Sequence, residues 1–252
     1  MKSNYFLQLI IFCALLLCGS SAAAEPLSEA EARAFGETTG RELLHTFSES
    51  DLTVKYRKLD ELFLNHIDLD HISRFVVGKY WRRMTPEQQQ KYQELFTRYA
   101  LNVYKGFPLD FDNNVDFDIS GTETEGEYVL VRTNIAYRAM DGRDSAFLVE
   151  FRVHKKDGKI LLTDIKVAES SLILSYRNRF YQMIKDADEE MEWFLEDFEL
   201  LTESSEKYYA RSEEESSSSV DGGVVSFFTI ILAGKVEFFP FYFIKEQFCG
   251  QK

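Results

Sequence analysis

Apolar residues recur every three or four positions through the first part of the chain, which is the spacing of helices with one buried face. The first predicted helix spans residues 28 to 47 and has a stripe that is expected to be buried, formed by Phe35, Thr39, Leu43 and Phe47. Ser28 followed by Glu31 has the spacing of a capping box at the helix start. A second helix is expected over residues 52 to 64, and Asp70 is expected to cap a third.

The sequence Thr85-Pro86-Glu87-Gln88 marks the start of a fourth helix. Thr85 and Gln88 form a second capping box, and Pro86 occupies the first turn, where its missing N–H is not needed. The buried face of this helix is predicted to carry Tyr92, Leu95, Phe96, Tyr99 and Val103. A long last helix is predicted over residues 172 to 201, with inward side chains Tyr176, Phe180, Ile184, Met191, Leu195 and Phe198.

The period changes to two between residues 115 and 167. Apolar and polar residues alternate over residues 129 to 138 and 147 to 153, and Asp157-Gly158 is a turn signal before a further apolar segment. Such alternation is typical of antiparallel strands with one apolar and one polar face. Helices followed by a strand meander and another helix indicate an α+β fold, with helices packed on one face of a twisted antiparallel sheet.

The composition of the first residues indicates export. An apolar stretch over residues 5 to 17, preceded by a lysine and followed by three alanines, has the layout of a signal peptide covering residues 1 to 24. This stretch is shorter than a bilayer span requires. Of the three cysteines, Cys249 alone lies outside the predicted signal peptide, so no internal disulfide is expected in the mature protein.

Residues 25 to 202 are predicted to form one domain. Residues 203 to 252 are expected to follow it as an acidic, serine-rich disordered linker with an apolar tail of unknown role. Nearly all of the net charge of −13 lies between residues 186 and 221, and we interpret this acidic run as solvated surface, with a partner-docking segment as the alternative. The chain has no basic stripe that would indicate binding to nucleic acid or to anionic membranes.

No motif in the sequence indicates catalysis. His66, Asp68, Asp70 and His71 lie close together in sequence, but their spacing is not that of an HExxH metal site and a helix is expected to begin among them. The chain also has no G-x-S-x-G motif and no glycine-rich phosphate loop. The sequence therefore predicts no catalytic residue, no metal and no cofactor.

Two ordered blocks of residues carry a likeness to a known family. The first block comprises Asp68-Leu69-Asp70, Ile72-Ser73-Arg74, Gly78-Lys79-Tyr80-Trp81-Arg82 and Thr85-Pro86-Glu87-Gln88, followed by Phe96 and Tyr104 on a helix. The second runs from Asp164-Ile165-Lys166-Val167 through Ser171-Leu172 to Tyr176-Arg177-Asn178-Arg179-Phe180. Together they resemble the MlaC (toluene-tolerance) family of periplasmic phospholipid-binding proteins, over roughly residues 28 to 200.

The resemblance implies a function without a catalytic centre. It implies a periplasmic phospholipid carrier whose sheet and helices enclose an apolar cavity, and which moves lipid between an outer-membrane lipoprotein–porin complex and an inner-membrane ABC transporter with an MCE-ring component. The implied role is to keep the outer membrane asymmetric. The expected cavity lining is Phe96, Tyr99, Tyr104, Val129, Val131, Ile135, Phe147, Val149, Phe151, Ile165 and Val167. Trp81 and Arg82 are interpreted as structural, with Arg82 paired to a carboxylate.

The residues alone leave a second hypothesis open. The chain contains 22 Phe and 13 Tyr, and these aromatic residues fit a filled core as well as a cavity lining, because both give the same periodicity. The alternative is therefore a non-lipid interaction module with a filled core and an acidic tail that binds a partner.

Overall fold

The computed structural model describes residues 26–105, 115–138, 144–167 and 170–216. The predicted signal peptide and the apolar tail lie outside these residues. Six α-helices are described, α1 (Glu29–Phe47), α2 (Leu52–His66), α3 (Leu69–Val77), α4 (Pro86–Lys105), α5 (Leu172–Asp186) and α6 (Met191–Ser216), with a 3-10 helix over Gly78–Arg83. The strands are β1 (Val115–Glu125), β2 (Tyr128–Arg138), β3 (Asp144–Lys156), β4 (Lys159–Val167) and β5 (Ser170–Ser171).

The strands form one antiparallel sheet in the order β1-β2-β3-β4-β5. Each strand pairs with the next along the chain, as short turns such as Asp157-Gly158 allow. Helices precede and follow this meander, so the predicted α+β class is confirmed.

Helix starts follow the predicted capping chemistry at two of three positions. Ser28 and Glu31 form a complete capping box at α1. At α4 the N–H of Thr85 donates to Gln88 Oε1 at 3.0 Å and the N–H of Gln88 to Thr85 Oγ1 at 3.3 Å. The prediction for α3 was wrong, because Asp68 is its cap and accepts the N–H of His71 at 3.0 Å.

The last predicted helix is two helices. Its first part ends at Asp186, and the chain turns through Asp188 and Glu189, which have positive φ angles of 51° and 59°. Its second part, α6, continues to Ser216. The chain is therefore helical where a disordered linker was predicted to start, and the expected domain boundary at residue 202 lies inside α6. Glu206 accepts two hydrogen bonds from Arg98 of α4, at 2.9 and 2.8 Å.

The helices α3 to α6 enclose an aromatic core of their own. Tyr92 of α4, Phe180 of α5 and Phe194 and Phe198 of α6 are at most 1% exposed. The ring centroids of Phe180 and Phe198 lie 5.1 Å apart in an edge-to-face contact. These helices thus bury their apolar faces mainly against one another.

The sheet has a separate core beneath α1. The buried members of this second cluster are Leu27, Ala32, Ile119, Val129, Val131 and Val153. Gly36 and Gly40 let α1 approach the sheet closely, because a Cβ at Gly36 would lie 3.0 Å from Ile119 Cδ1 and one at Gly40 would lie 2.6 Å from the Phe117 ring.

The 3-10 helix is tied to the turn between α5 and α6. Arg83 Nη1 lies 2.6 Å from Glu189 Oε2, and Tyr80 Oη donates to Glu189 Oε1 at 2.8 Å. The carboxylate partner predicted for Arg82 therefore belongs to its neighbour, and Arg82 is exposed. Trp81 packs edge-on against Tyr92 with centroids 6.2 Å apart, which fits the predicted structural role.

Gly78 gives a test of the junction between α3 and the 3-10 helix. Its φ is 49°, and a Cβ there would lie 2.3 Å from Tyr181 Oη and 2.7 Å from Arg177 Nη2. We expect Gly78→Ala to lower the free energy of unfolding by about 2 kcal/mol, mainly from backbone strain, because the ends of the Tyr181 and Arg177 side chains can shift away from the added methyl group. The measurement is urea denaturation followed by circular dichroism.

Gly121→Ala is the matched control, since no atom lies within 4 Å of a Cβ there and its φ is not in the left-handed range. We expect its effect to stay within about 0.5 kcal/mol. Equal unfolding midpoints for the two variants would contradict the role given to Gly78.

Candidate functional site

One face of the sheet is apolar over β2, β3 and β4. Val131 pairs with Phe151, which pairs with Ile165, and Val149 pairs with Val167. Residues directly opposite in antiparallel strands project to the same side of the sheet. We call this surface the apolar sheet face, formed by Phe117, Ile119, Val129, Val131, Ile135, Val149, Phe151, Val153, Ile165 and Val167.

The strand residues predicted to line a cavity all lie on this face, but they differ in how deeply they are buried. Val129 and Val131 are buried under α1, and Phe151 packs against the same cluster. Val149 is 4% exposed. The half-buried members are Ile135, Phe151, Ile165 and Val167. Phe147 pairs with Ile135 through the backbone, and its side chain lies outside what the structure describes.

The helix residues predicted for the same lining lie elsewhere. Phe96 packs on Phe180 with centroids 5.8 Å apart, and Tyr99 packs on Phe198 at 5.5 Å. Both therefore belong to the core of α3 to α6. Tyr104 lies on α4, and its side chain is outside the described part of the chain. The structure thus gathers the strand candidates on one face but places Phe96 and Tyr99 in another cluster.

A groove beside the apolar sheet face brings in residues that the sequence did not assign to the lipid site. Its volume is about 400 Å³. This α1–α2 groove is lined by Glu31, Ala34, Phe35, Thr38, Thr39, Glu42, His66 and Ile160. Phe35 and Ile160 also pack against the cluster under α1, so the inner wall of the groove is continuous with that core.

The apolar stripe along α1 is the sequence feature that corresponds to this groove. Phe35, Thr39 and Phe47 were expected to be buried, but they are only half-buried and Leu43 is 37% exposed. The ring of Phe35 meets that of His66 edge-on at a centroid distance of 5.4 Å. An amphipathic stripe predicts an inward side but does not say whether a partner covers it.

The opposite face of the sheet carries alternating charges. Arg132 bonds to Glu150 at 2.8 Å and also pairs with Glu123, while Arg152 reaches Glu125 at 3.1 Å. Between this polar face, α3 and α5 lies a second cavity of about 310 Å³, lined by His71, Phe75, Tyr128, Arg152, Thr163, Asp164, Lys166, Ser171, Ile173 and Leu174.

Asp68 joins α3 to the sheet. The carboxylate is 3% exposed and lies 3.1 Å from Lys156 Nζ and 2.9 Å from His154 Nε2. Its backbone N–H also donates to Leu162 O at 2.9 Å. Burial by itself raises the pKa of the Asp68 carboxyl, but the hydrogen bonds from the His71 N–H, Lys156 and His154 outweigh it and leave this pKa below its usual value.

The residues that suggested a metal cluster divide between two sides of the sheet. His66 lines the α1–α2 groove, whereas His71 lines the cavity on the polar face. Burial lowers the pKa of His71, and the nearby His154 and Lys156 act in the same direction. Within residues 26–105, 115–138, 144–167 and 170–216, no group of three potential metal-ligating side chains is found.

None of the helices in the described ranges is long and apolar enough to cross a membrane.

One family model matches more than half of the chain, and one solved structure shares its fold. The profile of the family described as MlaC protein matches residues 38–197. No curated protein matches the chain. Among solved structures, the phospholipid-binding protein from Ralstonia solanacearum in complex with a phospholipid matches with a TM-score of 0.58 and 20% identity, over 69% of this chain and 98% of that chain. At this identity the likeness shows a common fold.

Asp68→Ala tests the joint between α3 and the sheet. It removes the helix cap and the carboxylate nearest to Lys156 and His154, while Asp70 stays 3.5 Å from Lys156 Nζ. We expect a loss of about 2 kcal/mol, less than for a fully buried ion pair because Lys156 is 40% exposed. Asp70→Ala is the control, and it should lose less than about 1 kcal/mol because Asp70 is 43% exposed.

The Asp68 effect should depend on pH. Because the folded state lowers the pKa of Asp68, folding favours the ionised carboxylate. Its contribution is complete above the unfolded-chain pKa of about 3.9 and is lost as the pH falls through the lower pKa of the folded state. The difference in unfolding free energy between wild type and Asp68→Ala should therefore shrink in acid. A difference that grows in acid would contradict this assignment.

Proposed function

The chain belongs to the MlaC family, and from this membership and the geometry of the site we propose that it binds phospholipid through the apolar sheet face. The observation that carries the proposal is the contrast between the two cores. Helices α3 to α6 fill their core with packed aromatic rings, whereas the apolar sheet face has half-buried residues beside an open groove. The Ralstonia solanacearum protein with the same fold was determined with a phospholipid bound, which supports this ligand class.

The energetics of lipid transfer explain why a carrier needs such a face. Each CH₂ group removed from water contributes about 0.8 kcal/mol, so a two-chain lipid that leaves a bilayer for water loses on the order of 20 kcal/mol. A carrier must therefore cover the acyl chains with apolar side chains while the charged headgroup stays near water. The ten residues of the apolar sheet face supply side chains of that kind.

Lipid entry requires α1 to move relative to the sheet. A groove of about 400 Å³ is near the lower end of pockets for drug-sized ligands, roughly 300–1,000 Å³, and a two-chain phospholipid is larger than those ligands. The polar ties described between α1 and the sheet come from its first two turns, where Arg33 Nη1 donates to Ile119 O at 2.8 Å and Glu29 accepts from Thr122 and Thr124. We infer that this end of α1 is the pivot.

The finer function that we propose is transport between membranes. In this role the protein carries phospholipid through the periplasm between an outer-membrane lipoprotein–porin complex and an inner-membrane ABC transporter with an MCE-ring component. Family membership and the predicted signal peptide support the location. Slow release of buried acyl chains into water supports transfer by docking.

The test of lipid binding is the lipid content of the purified protein. Solvent extraction of the wild type should yield phospholipid. Val149→Asp places a carboxylate on the apolar sheet face at a site that is 4% exposed, so it should fold less stably and retain much less lipid.

Leu148→Asp is the matched control. It changes the neighbouring residue of β3, which is 44% exposed and points to the other face, and it should retain the wild-type lipid content. Wild type that carries no phospholipid would favour the alternative of an interaction module. A folded Val149→Asp variant with unchanged lipid would move the site away from this face.

Transfer by docking has its own measurement. We expect a fluorescent phospholipid to leave the loaded protein slowly when pure liposomes are the acceptor and much faster when the reconstituted inner-membrane transporter is present. The physical reason is that direct contact avoids the cost of exposing two acyl chains to water. Equal rates in the two samples would argue against docking and leave lipid binding intact.

A further inference from the structure

Two cations from neighbouring strands line the cavity between the polar face of the sheet, α3 and α5. Arg152 comes from β3 and Lys166 from β4, and we call this cavity of about 310 Å³ the polar-face cavity. In the strand register Arg152 pairs with Asp164, two residues before Lys166. Diagonal neighbours of this kind lie roughly 7–8 Å apart. One anion placed between two such side chains can therefore contact both.

Arg152 has hydrogen-bond donors that its neighbours do not use. Its Nη2 lies 3.1 Å from Glu125 Oε2, and its guanidinium lies over the ring of Tyr128, 4.3 Å from the centroid. Its Nε is buried and has no hydrogen-bond partner within the part of the chain that the structure describes. A buried N–H without an acceptor is unfavourable. A guanidinium can offer two parallel N–H groups to an oxyanion, so Arg152 is oriented by its contacts and still able to bind one.

Lys166 is also only weakly paired. The described carboxylate that it faces is Glu150, whose Oε2 lies 3.9 Å from Lys166 Nζ, beyond hydrogen-bond distance. Glu150 instead accepts a hydrogen bond from Arg132 Nε at 2.8 Å. The ammonium of Lys166 therefore keeps donors for an anion in the polar-face cavity.

One carboxylate lines the same cavity, and its acceptor positions are already used. Asp164 is 5% exposed and accepts hydrogen bonds from Ser171 Oγ at 2.6 Å and from the N–H groups of Ile165 at 2.8 Å and Ile173 at 3.1 Å. Ser171 caps α5 and Ile173 lies in its first turn, where a negative charge is stabilised by the helix dipole. Asp164 thus has its own partners and leaves the two cations available.

We propose that the polar-face cavity binds a phosphate group between Arg152 and Lys166. Phosphate offers several oxygens that accept charge-assisted hydrogen bonds from a guanidinium and an ammonium together. The helix side of the cavity adds Phe75, Ile173 and Leu174, which can cover the apolar part of a phosphate ester. The cavity lies on the opposite side of the sheet from the apolar sheet face, so this inference does not depend on the proposed function. The phosphate group is the same whether it is free or part of a lipid headgroup, and the experiment distinguishes these two sources.

The Nε–H of Arg152 can report on binding directly. Because it is buried, its proton is expected to exchange slowly with water and to give its own signal in a proton–nitrogen NMR spectrum of the full chain. Inorganic phosphate is titrated against chloride at constant ionic strength. We expect the Arg152 signal, assigned by its loss in Arg152→Lys, to shift until it saturates. The Nε–H of Arg179 is the internal control, since it is also buried but Arg179 does not line this cavity.

Three variants separate charge at this site from charge in general. Lys166→Met should raise the Kd for phosphate about tenfold or more, the equivalent of one hydrogen bond to a charged group. Lys159→Met removes an exposed ammonium from the same strand, outside the cavity, and should leave the Kd unchanged. Arg152→Met should lose the rise in unfolding temperature that phosphate gives the wild type. If Lys166→Met fails to fold, Lys166→Gln takes its place.

A second titration identifies the source of the phosphate group. It compares a short-chain phosphatidylglycerol with a diacylglycerol that has the same acyl chains. A shift of the Arg152 signal with inorganic phosphate means that the site takes free phosphate, and a shift with phosphatidylglycerol alone means that it takes a lipid headgroup. Both results support the proposal. It is overturned if neither phosphate compound shifts the signal, if diacylglycerol shifts it equally, or if Lys159→Met weakens binding as much as Lys166→Met.

Discussion

The helices α3 to α6 bury their apolar faces against one another, and the rest of the structure depends on this packing. Tyr92, Phe180, Phe194 and Phe198 pack against one another. These helices therefore have little apolar surface left to cover the sheet. Burial of the apolar sheet face then falls largely to α1 and α2. These two helices bury the face incompletely, because half-buried side chains and an open groove remain. An apolar ligand can complete the burial.

Asp68 connects the core of α3 to α6 with the sheet. Its carboxylate holds Lys156 and His154 of β3 while its backbone bonds to Leu162 of β4. By contrast, α1 makes polar contacts with the sheet only through its first two turns, at Glu29, Glu31 and Arg33, among the described residues. Beyond them it rests on the sheet at Gly36 and Gly40 by van der Waals packing. Packing of this kind forms and breaks without leaving unpaired charges. We therefore infer that the part of α1 beyond these two turns, which covers the proposed lipid site, is the part able to move.

Most of the fold could be predicted because its signals are local. Capping boxes at Ser28 and Thr85 and the alternation in the strands need no tertiary contact. The predictions were wrong where contacts with residues distant in sequence determine the local structure. Asp68 and Asp70 are equivalent as local caps, and Asp68 is selected by partners on β3. The break at Glu189 has no glycine or proline and is held by Arg83 and Tyr80, more than 100 residues earlier.

The same reasoning explains the candidate site. Phe96 and Val131 both lie on apolar faces, and periodicity reports that a face is inward without saying which neighbour it meets.

The net affinity of a carrier is a difference between large terms. Burial of two acyl chains favours loading by on the order of 20 kcal/mol relative to water, and a protein that kept all of this advantage over a bilayer would not give the lipid up. In the proposed loading step, separation of α1 from the sheet would offset part of it, because the contacts at Gly36 and Gly40 would be lost. The packing of α1 on the sheet thus shifts the balance toward release, and a partner that displaces α1 would change that balance.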